Sequence, residues 1–454
     1  MHDSIEHLPE EPKPAPRVSY FTLGCRLNQH DTAAMRARLE EAGCRAAARG
    51  EAPDVIVVNT CTVTRRADQE ARQAVRRLAA RHPGASLVVT GCYAQRAPED
   101  LRGLPGVRAV LGTAARDRIA EAVRSLGVRD GAVSRVDVGP ARARRPIERV
   151  APVAFGRTRA LLKIQDGCDS FCAYCIVPYV RGRSRSLPLD EALAQGRRLV
   201  EAGFAELVVT GADLGAYGRD LGAPGLLARL IRGLLGLGDG HRVRISSLEP
   251  VHVSEDLLAL LHEEPRLCRH LHLPLQSGSA AILRAMRRPY GPREYAALVE
   301  RAAARAPTAI GADVIVGFPG EGEAEFEETE RFLETLPITY LHVFRYSERP
   351  GTASARRAPD AEGAAVADPA RVRERSERLR ALGERKRAAF HASLVGSTLP
   401  AVLEPASRHG SITAMTDVYA PVTLRARPDR RARGIVPVRV DAAEGTLLTG
   451  VASG

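Results

Sequence analysis

Three cysteines crowded into one short loop constrain the fold more than any other feature of the chain. Cys168, Cys172 and Cys175 are separated by three and by two residues, and they follow a short apolar run. Three thiols so close together cannot all form disulfides, because one would be left over. Short cysteine spacings are typical of metal and iron–sulfur sites. No histidine or fourth cysteine follows nearby, so a four-ligand zinc site is not completed locally.

Three further cysteines each follow an apolar run in the first third of the chain. The runs cover residues 18–25, 54–61 and 85–92, and they end in Cys25, Cys61 and Cys92. Helical patterns at residues 32–42 and 68–81 alternate with them, which predicts an open parallel α/β sheet domain over residues 18–138. The carboxyl ends of parallel strands lie along one edge of a sheet. We therefore expect these three thiols to converge on a shared ligand.

A buried cysteine can also be a simple space-filling residue, and that alternative applies to any one of the three taken alone. Cys44 and Cys268 match neither cysteine motif, and we interpret both as structural. For the loop at 168–175 the competing interpretation is a structural zinc loop.

The middle of the chain repeats a strand–helix unit six times. Apolar runs begin near residues 159, 206, 242, 270, 311 and 339, and helical segments separate them. This pattern predicts a complete or partial β/α barrel over residues 153–394, with the active loops at the carboxyl ends of its strands. Asp368 and Pro369 suit the start of a last helix that ends near residue 394.

The end of the chain changes to short strands separated by turns. Residues 395–454 are therefore predicted to form a small β-barrel. A basic loop within it is expected to contact a phosphate backbone, although a solvated charged face is the alternative. The loop contains Arg425, Arg427, Arg430, Arg431 and Arg433. Residues 1–17 are expected to be a disordered tail, and the Arg- and Pro-rich residues 139–152 a linker.

Composition restricts the partners and the compartment. The formal net charge is +12, which suits a polyanionic partner, although a genome rich in arginine codons is the alternative. Eight cysteines in 454 residues are too few for a disulfide scaffold. No signal peptide and no membrane-spanning run is visible, so we expect a cytoplasmic protein without membrane association.

Residues 167–182 resemble the signature loop of the radical S-adenosylmethionine (SAM) superfamily, and the flanking residues look like its methylthiotransferase branch. Residues 22–29, 58–64 and 90–95, around Cys25, Cys61 and Cys92, are similar to the three cysteine motifs of that branch. The resemblance implies two [4Fe–4S] clusters, one on each cysteine trio and each with one free iron. The position of the C-terminal barrel resembles the RNA-binding TRAM domain.

The resemblance also implies how SAM is bound and used. Gly211 would lie near the methionine moiety of SAM, and Val314 and Ile315 near its adenine. Ser246, Glu249 and Gln276 would occupy strand ends that face the same cavity. One SAM would methylate a sulfur on the cluster of the first trio, and a second would yield the radical that activates the substrate carbon. No catalytic residue beyond the cluster ligands is expected.

Residues 22–29, 247–250 and 342–352 look most like the branch that inserts a methylthio group at C2 of N6-threonylcarbamoyladenosine, at position 37 beside the tRNA anticodon. His30, Asp31 and Pro274 depart from that branch's usual residues. The alternatives are isopentenyladenosine in tRNA or a ribosomal protein aspartate and, in another class, a non-catalytic iron–sulfur or zinc RNA-binding protein. The implied partners are the tRNA anticodon stem-loop, an electron donor such as flavodoxin or ferredoxin, and a sulfur donor.

Overall fold

The chain forms three units in sequence order: a parallel α/β sheet, an open β/α barrel and a small closed β-barrel. This computed structural model describes residues 15–126, 135–141, 147, 158–305, 307–356, 368–406, 411–425 and 434–452. The fold class predicted from the sequence is confirmed for each unit.

The first unit alternates strands with helices. Its elements are β1 (Arg17–Thr22), α1 (Arg26–Glu41), β2 (Arg45–Ala46), β3 (Val55–Thr60), α2 (Arg65–Arg81), β4 (Ser86–Gly91), α3 (Cys92–Arg96), α4 (Glu99–Arg102), β5 (Val107–Leu111), α5 (Ile119–Ser125) and β6 (Arg135–Asp137). A 3₁₀ helix, Thr113–Arg118, precedes α5. All six residues of β3 are buried, as expected for a strand covered on both faces.

The six strands of this sheet are parallel and lie in the order β2-β1-β3-β4-β5-β6. Alternate residues of β3 belong to two different cores. Val55 and Val57 pack with residues of α1 and α5, whereas Ile56 and Val58 pack with residues of α2. The strand order reverses between β1 and β3, and ligands of open α/β sheets bind at the carboxyl ends of the strands at such a point.

The second unit is the barrel. Its elements are β7 (Arg159–Lys163), β8 (Gln165–Asp166), α6 (Val177–Arg181), β9 (Arg185–Ser186), α7 (Leu189–Glu201), β10 (Glu206–Thr210), α8 (Leu226–Leu235), β11 (Arg242–Ile245), α9 (Glu255–Glu263), β12 (His270–His272), α10 (Ala280–Ala285), α11 (Pro292–Ala303), β13 (Ala309–Val316), α12 (Glu323–Thr335) and β14 (Tyr340–Arg345).

The barrel wall consists of two parallel three-stranded sheets, β11-β10-β7 and β12-β13-β14. Isolated pairings of Val243 with Leu267 and of Ser247 with His272 connect the two sheets. Among the described strands β7 does not pair with β14, so the barrel is partial. One large apolar core fills the space between the barrel strands and their helices.

Helix α13 (Pro369–Ser393) leads from the barrel to the third unit. It starts where the sequence predicts, because the Asp368 carboxylate accepts a hydrogen bond from the backbone N–H of Ala370 at 3.1 Å. The third unit contains β15 (Thr398–Leu403), β16 (Thr413–Thr416), β17 (Pro421–Leu424), β18 (Ile435–Glu444) and β19 (Leu447–Ala452). These strands close a barrel in the order β15-β16-β17-β19-β18.

Three local features differ from the sequence prediction. Helix α1 begins at Arg26, six residues before the predicted start at residue 32, because its first turns bury polar side chains that apolar periodicity does not detect. Strand β1 includes Arg17, the last residue of the expected tail, and β6 is absent from the prediction. None of the described helices combines the length and the apolar character that crossing a membrane requires.

Candidate active site

The three cysteines of the first unit lie at the crevice where the strand order reverses. Cys25 precedes α1, Cys61 follows β3 directly, and Cys92 is the first residue of α3 after β4. All three line one cavity of about 530 Å³ between the first unit and the barrel. The structure thus brings together three thiols that are 67 residues apart in sequence from first to last.

Two glycines let the backbone approach these thiols closely. Gly24 has φ +95°, and a Cβ there would lie 2.6 Å from the Cβ of Cys61 and 3.0 Å from its Sγ. Gly91 has φ +100°, and a Cβ there would lie 2.4 Å from the carbonyl oxygen of Thr60. Both glycines supply a left-handed backbone and the space that a side chain would fill.

The second cysteine trio lies in the loop between β8 and α6. The backbone N–H of Cys175 donates to the carbonyl of Cys172 at 3.0 Å, which tightens the loop. The Cys168 thiol donates to the Asp213 carboxylate at 3.5 Å. The Arg288 guanidinium donates to the Cys172 sulfur at 3.3 Å. Each of these two sulfurs thus has a polar partner contributed by a distant part of the barrel.

The environment of the thiols fits a metal centre that displaces their protons. Burial raises the pKa of Cys61 and of Cys175 to about 12, so only a cationic centre would hold these sulfurs as thiolates near neutral pH. Each trio offers three sulfur ligands, and soft thiolate ligands are those that iron–sulfur clusters and zinc both take.

A buried ionic network fixes the first unit against the barrel beside the first trio. Asp31 of α1 pairs with Arg116 and with Lys163 of β7, the latter at 2.7 Å. The Arg181 guanidinium, at the end of α6, donates to Asp31 at 3.0 Å and to Asp166 at 2.9 Å. Burial alone would raise the pKa of Asp31, but the three cations outweigh it and hold that pKa below its usual range. The network requires residues of both units, so it sets where the first trio faces the barrel.

Side chains of the barrel strands form the opposite wall of the cavity. The Asp313 carboxylate accepts hydrogen bonds from His272 at 2.9 Å and from His342 at 3.2 Å. The other ring nitrogen of His272 bonds to the Tyr340 hydroxyl at 3.1 Å, and that hydroxyl also contacts His270 at 2.8 Å. Burial raises the pKa of Asp313, but the two imidazoles outweigh this effect and lower it. Asp313 is therefore held as an anion by two hydrogen bonds within a row of rings.

The residues that the sequence associates with SAM lie in several places. Gly211 and Ser246 line the 530 Å³ cavity, and Gln276 and Ile315 line an adjoining cavity of about 180 Å³. Gln276 has φ +74°. Its backbone N–H donates to the carbonyl of Asp313, and its carbonyl accepts from the N–H of Ile315, both on β13. Two further residues are placed differently. Glu249 forms an ion pair with Arg288, and the side chain of Val314 is buried in the apolar core.

The basic loop of the third unit is described only at its first residue. Arg425 is exposed, and its guanidinium donates to the Thr449 hydroxyl at 3.0 Å. Arg427, Arg430, Arg431 and Arg433 lie outside the described residues. A role for this loop in RNA contact stays a prediction.

Sequence reasoning misses several polar residues of the site. Asp213 lies 45 residues after Cys168 and Arg288 lies 116 residues after Cys172, and nothing in the local sequence connects these pairs. A signal was available for His270 and His272, because alternate residues of a strand point to the same face. Arg181 also had a signal, since it lies within the motif that contains the second trio.

Comparison with known proteins agrees with this architecture. Residues 17–112 match an uncharacterized protein family, UPF0004, and residues 162–333 match the radical SAM superfamily. A threonylcarbamoyladenosine tRNA methylthiotransferase of Bacillus subtilis is 38% identical over 75% of this chain and 75% of its own length. The enzyme of the same name from Aquifex aeolicus is 36% identical over 85% of this chain and 92% of its length.

A second group of relatives has a different name. A tRNA-2-methylthio-N(6)-dimethylallyladenosine synthase of Syntrophotalea carbinolica is 33% identical over 93% of this chain and 96% of its length. Among solved structures, a radical SAM methyltransferase, TsrM, of Kitasatospora setae with cobalamin and a [4Fe–4S] cluster bound aligns with a TM-score of 0.53. It is 15% identical and covers 73% of this chain and 75% of its own, a likeness of fold. With two cysteine trios in place and relatives this similar over most of its length, the chain belongs to the radical-SAM methylthiotransferase family.

Proposed function

We propose that this protein inserts a methylthio group at C2 of N6-threonylcarbamoyladenosine, at position 37 beside the tRNA anticodon. One observation carries the proposal. Cys25, Cys61 and Cys92 line a cavity whose other side includes Ile176 and Val177, the residues that follow the second trio directly. Two sets of sulfur ligands are therefore positioned to act on one bound substrate.

The family's cofactors are two [4Fe–4S] clusters and SAM. Cys168, Cys172 and Cys175 would hold the cluster that binds SAM, and Cys25, Cys61 and Cys92 would hold the other. When bound, these groups supply reductive cleavage of SAM and the sulfur to be transferred. The chain itself positions them: Arg288 and Asp213 bond to sulfurs of the second trio, and the Asp31–Arg181 network orients the first.

The cavity also controls access of water and of the base. Apolar side chains such as Ile176, Val180 and Phe344 contribute to its lining, and they would limit the access of water to the point where a radical would form. Rings on the barrel side, including His342 and Phe344, offer flat surfaces on which an unstacked base can lie. An adenosine displaced from the anticodon loop is a substrate of suitable shape for such a wall.

The substrate assignment follows the relatives' names. Five of the relatives compared act, by their names, on threonylcarbamoyladenosine in tRNA, and they are 34–38% identical to this chain. Three relatives named for dimethylallyladenosine have identities of 33–35%. The basic net charge of +12 supports a nucleic-acid substrate.

Further partners follow from the chemistry. Reductive cleavage of SAM requires a low-potential electron donor such as flavodoxin or ferredoxin, and each transfer requires a sulfur donor. We also expect the protein to act in the cytoplasm, where its thiols stay reduced.

The test compares two RNA substrates with the reconstituted wild-type protein under anaerobic conditions with SAM and a reductant. One anticodon stem-loop carries threonylcarbamoyladenosine at position 37 and the other carries dimethylallyladenosine. Mass spectrometry of the digested nucleosides should show the methylthio adduct on the first substrate. In a strain without the gene, the methylthio form of threonylcarbamoyladenosine should be missing from tRNA.

Other results would overturn the proposal. An adduct only on dimethylallyladenosine would assign the protein to the other tRNA substrate. An unmodified tRNA pool in both assays, with an adduct on a ribosomal protein, would move the activity to protein. Failure to form any 5′-deoxyadenosine with both clusters loaded would favour a non-catalytic RNA-binding protein.

A further inference from the structure

We propose that Arg26 binds the carboxylate of the threonylcarbamoyl group and so selects this substrate over an adenosine with a neutral N6 substituent. The inference rests on the proposed function and adds a binding site for one part of the substrate. It depends on where Arg26 lies, on its lack of an acidic partner, and on the geometry of the substituted base.

Arg26 lies at the junction of all three units. It is the first residue of α1, next to Cys25, and it lines the 530 Å³ cavity. Its guanidinium donates to the hydroxyl of Tyr419, in the third unit, at 3.2 Å. Tyr419 in turn stacks on His270 of the barrel, with ring centroids 4.4 Å apart. The side chain is therefore held at the wall of the cavity by a neutral partner.

The charges around the cavity leave Arg26 available for an anion. Among the described residues that line it, the permanent cations are Arg26 and Arg181. Arg181 is 4% exposed and already bonds to Asp31, Asp166 and Asn28. No described carboxylate lies within ion-pairing distance of Arg26, whose guanidinium has the Tyr419 hydroxyl as its hydrogen-bond partner.

The carboxylate that lines the cavity does not pair with the Arg26 guanidinium. Asp313 is the carboxylate among the described lining residues, and both His272 and His342 donate to it. A guanidinium presents five N–H donors, of which the contact with Tyr419 uses one. The remaining donors form a planar fork that matches a carboxylate through two parallel hydrogen bonds.

The chemistry of the substrate requires such a group near the first trio. The threonylcarbamoyl substituent carries the α-carboxylate of threonine, whereas a dimethylallyl substituent is an uncharged hydrocarbon. In adenine, N6 is attached to C6, and C6 and C2 flank N1 on the same edge of the base. Sulfur delivered to C2 therefore arrives beside the N6 substituent. Arg26 adjoins Cys25 in the chain, so it lies where that substituent would enter.

The test measures kcat/KM for three matched stem-loops: threonylcarbamoyladenosine, its primary amide in place of the carboxylate, and dimethylallyladenosine. Charge-assisted hydrogen bonds contribute about 1.5–3 kcal/mol, which corresponds to roughly 10- to 150-fold in kcat/KM. Arg26→Gln should lose activity by this factor on the carboxylate substrate alone. The wild-type kcat/KM on the amide substrate should already be low, and Arg26→Gln should change that value little. Arg26→Lys should recover part of the loss.

Arg36→Gln is the matched control. It removes the same charge from the same helix, but Arg36 lies about 15 Å along the helix axis from Arg26. Arg36 pairs with Glu40 and is not among the described residues that line the cavity. This variant should keep the wild-type ratio of carboxylate to amide substrate. Iron content and 5′-deoxyadenosine formation without RNA should be equal in all variants, which separates binding from folding.

The outcomes separate this inference from the function on which it depends. If the wild type modifies threonylcarbamoyladenosine and Arg26→Gln keeps the same preference for carboxylate over amide, the Arg26 site is wrong and the function stands. If the wild type does not modify threonylcarbamoyladenosine at all, both are wrong.

Discussion

At the scale of single residues, two thiols of the second trio have hydrogen-bond partners from distant parts of the barrel. Arg288 is the clearest example, because its guanidinium bonds to the Cys172 sulfur and pairs with Glu249. Hydrogen bonds and positive charge at a ligand sulfur stabilise the more reduced, more negative state of an iron–sulfur cluster. We therefore expect Arg288 to tune the potential of the cluster that Cys168, Cys172 and Cys175 would hold.

We predict that Arg288→Gln makes the potential of the cluster on the second trio more negative by on the order of 60–130 mV. This range corresponds to one charge-assisted hydrogen bond, at about 59 mV per factor of ten. An anaerobic redox titration followed by electron paramagnetic resonance measures it. Arg284→Gln removes an exposed charge from α10 and should leave the potential unchanged. An unchanged potential in Arg288→Gln at full iron content would show that this contact has no electronic role.

At the scale of elements, two arginines of β11 attach the third unit to the barrel. Arg242 and Arg244 both bond to Glu206 of β10. Arg242 also donates to the carbonyl of Pro400 at 2.8 Å, and Arg244 to that of Thr416 at 2.8 Å. Glu206 is fully buried. Burial alone would raise the pKa of Glu206, but the arginines outweigh it and lower the pKa to about 2.

This ion group predicts an acid-sensitive interface. The pKa of Glu206 is about 2 in the folded protein and about 4.5 in the unfolded chain. The contribution of ionised Glu206 to the free energy of unfolding is therefore complete above about pH 4.5 and is lost as the pH falls toward 2. Arg244→Met should lower the free energy of unfolding by about 3–5 kcal/mol, because a buried partner is removed. Thermal unfolding between pH 3 and pH 8 measures both effects.

Two comparisons check the assignment to Glu206. Arg439→Gln, which disrupts a largely exposed pair with Asp441, should cost less than about 1 kcal/mol. Glu206→Gln should be destabilised at neutral pH but should lose less stability than the wild type between pH 5 and pH 3. Parallel acid profiles in the wild type and Glu206→Gln would assign the acid sensitivity to another group.

At the scale of the whole molecule, the sequence predicts the three units and the convergence of the first trio, because strand ends and glycine turns are local signals. The structure adds the relation between the units. The Asp31–Lys163 pair joins residues 132 positions apart, and the hydrogen bond from Arg26 to Tyr419 joins residues 393 positions apart. Contacts of this kind depend on how finished domains pack, and no periodicity encodes them. The early start of α1 has the same origin, since Asn28 and Asp31 are buried in contact with Arg181 of the barrel.

The central claim is that two cysteine trios have separate tasks around one cavity. The most direct measurement assays 5′-deoxyadenosine and methylthiolated nucleoside together in two variants, with iron content determined for each. Cys172→Ala should form neither product. Cys61→Ala should still form 5′-deoxyadenosine but no methylthiolated nucleoside. A Cys61→Ala protein that still inserts the methylthio group, or a Cys172→Ala protein that still cleaves SAM, would contradict the account.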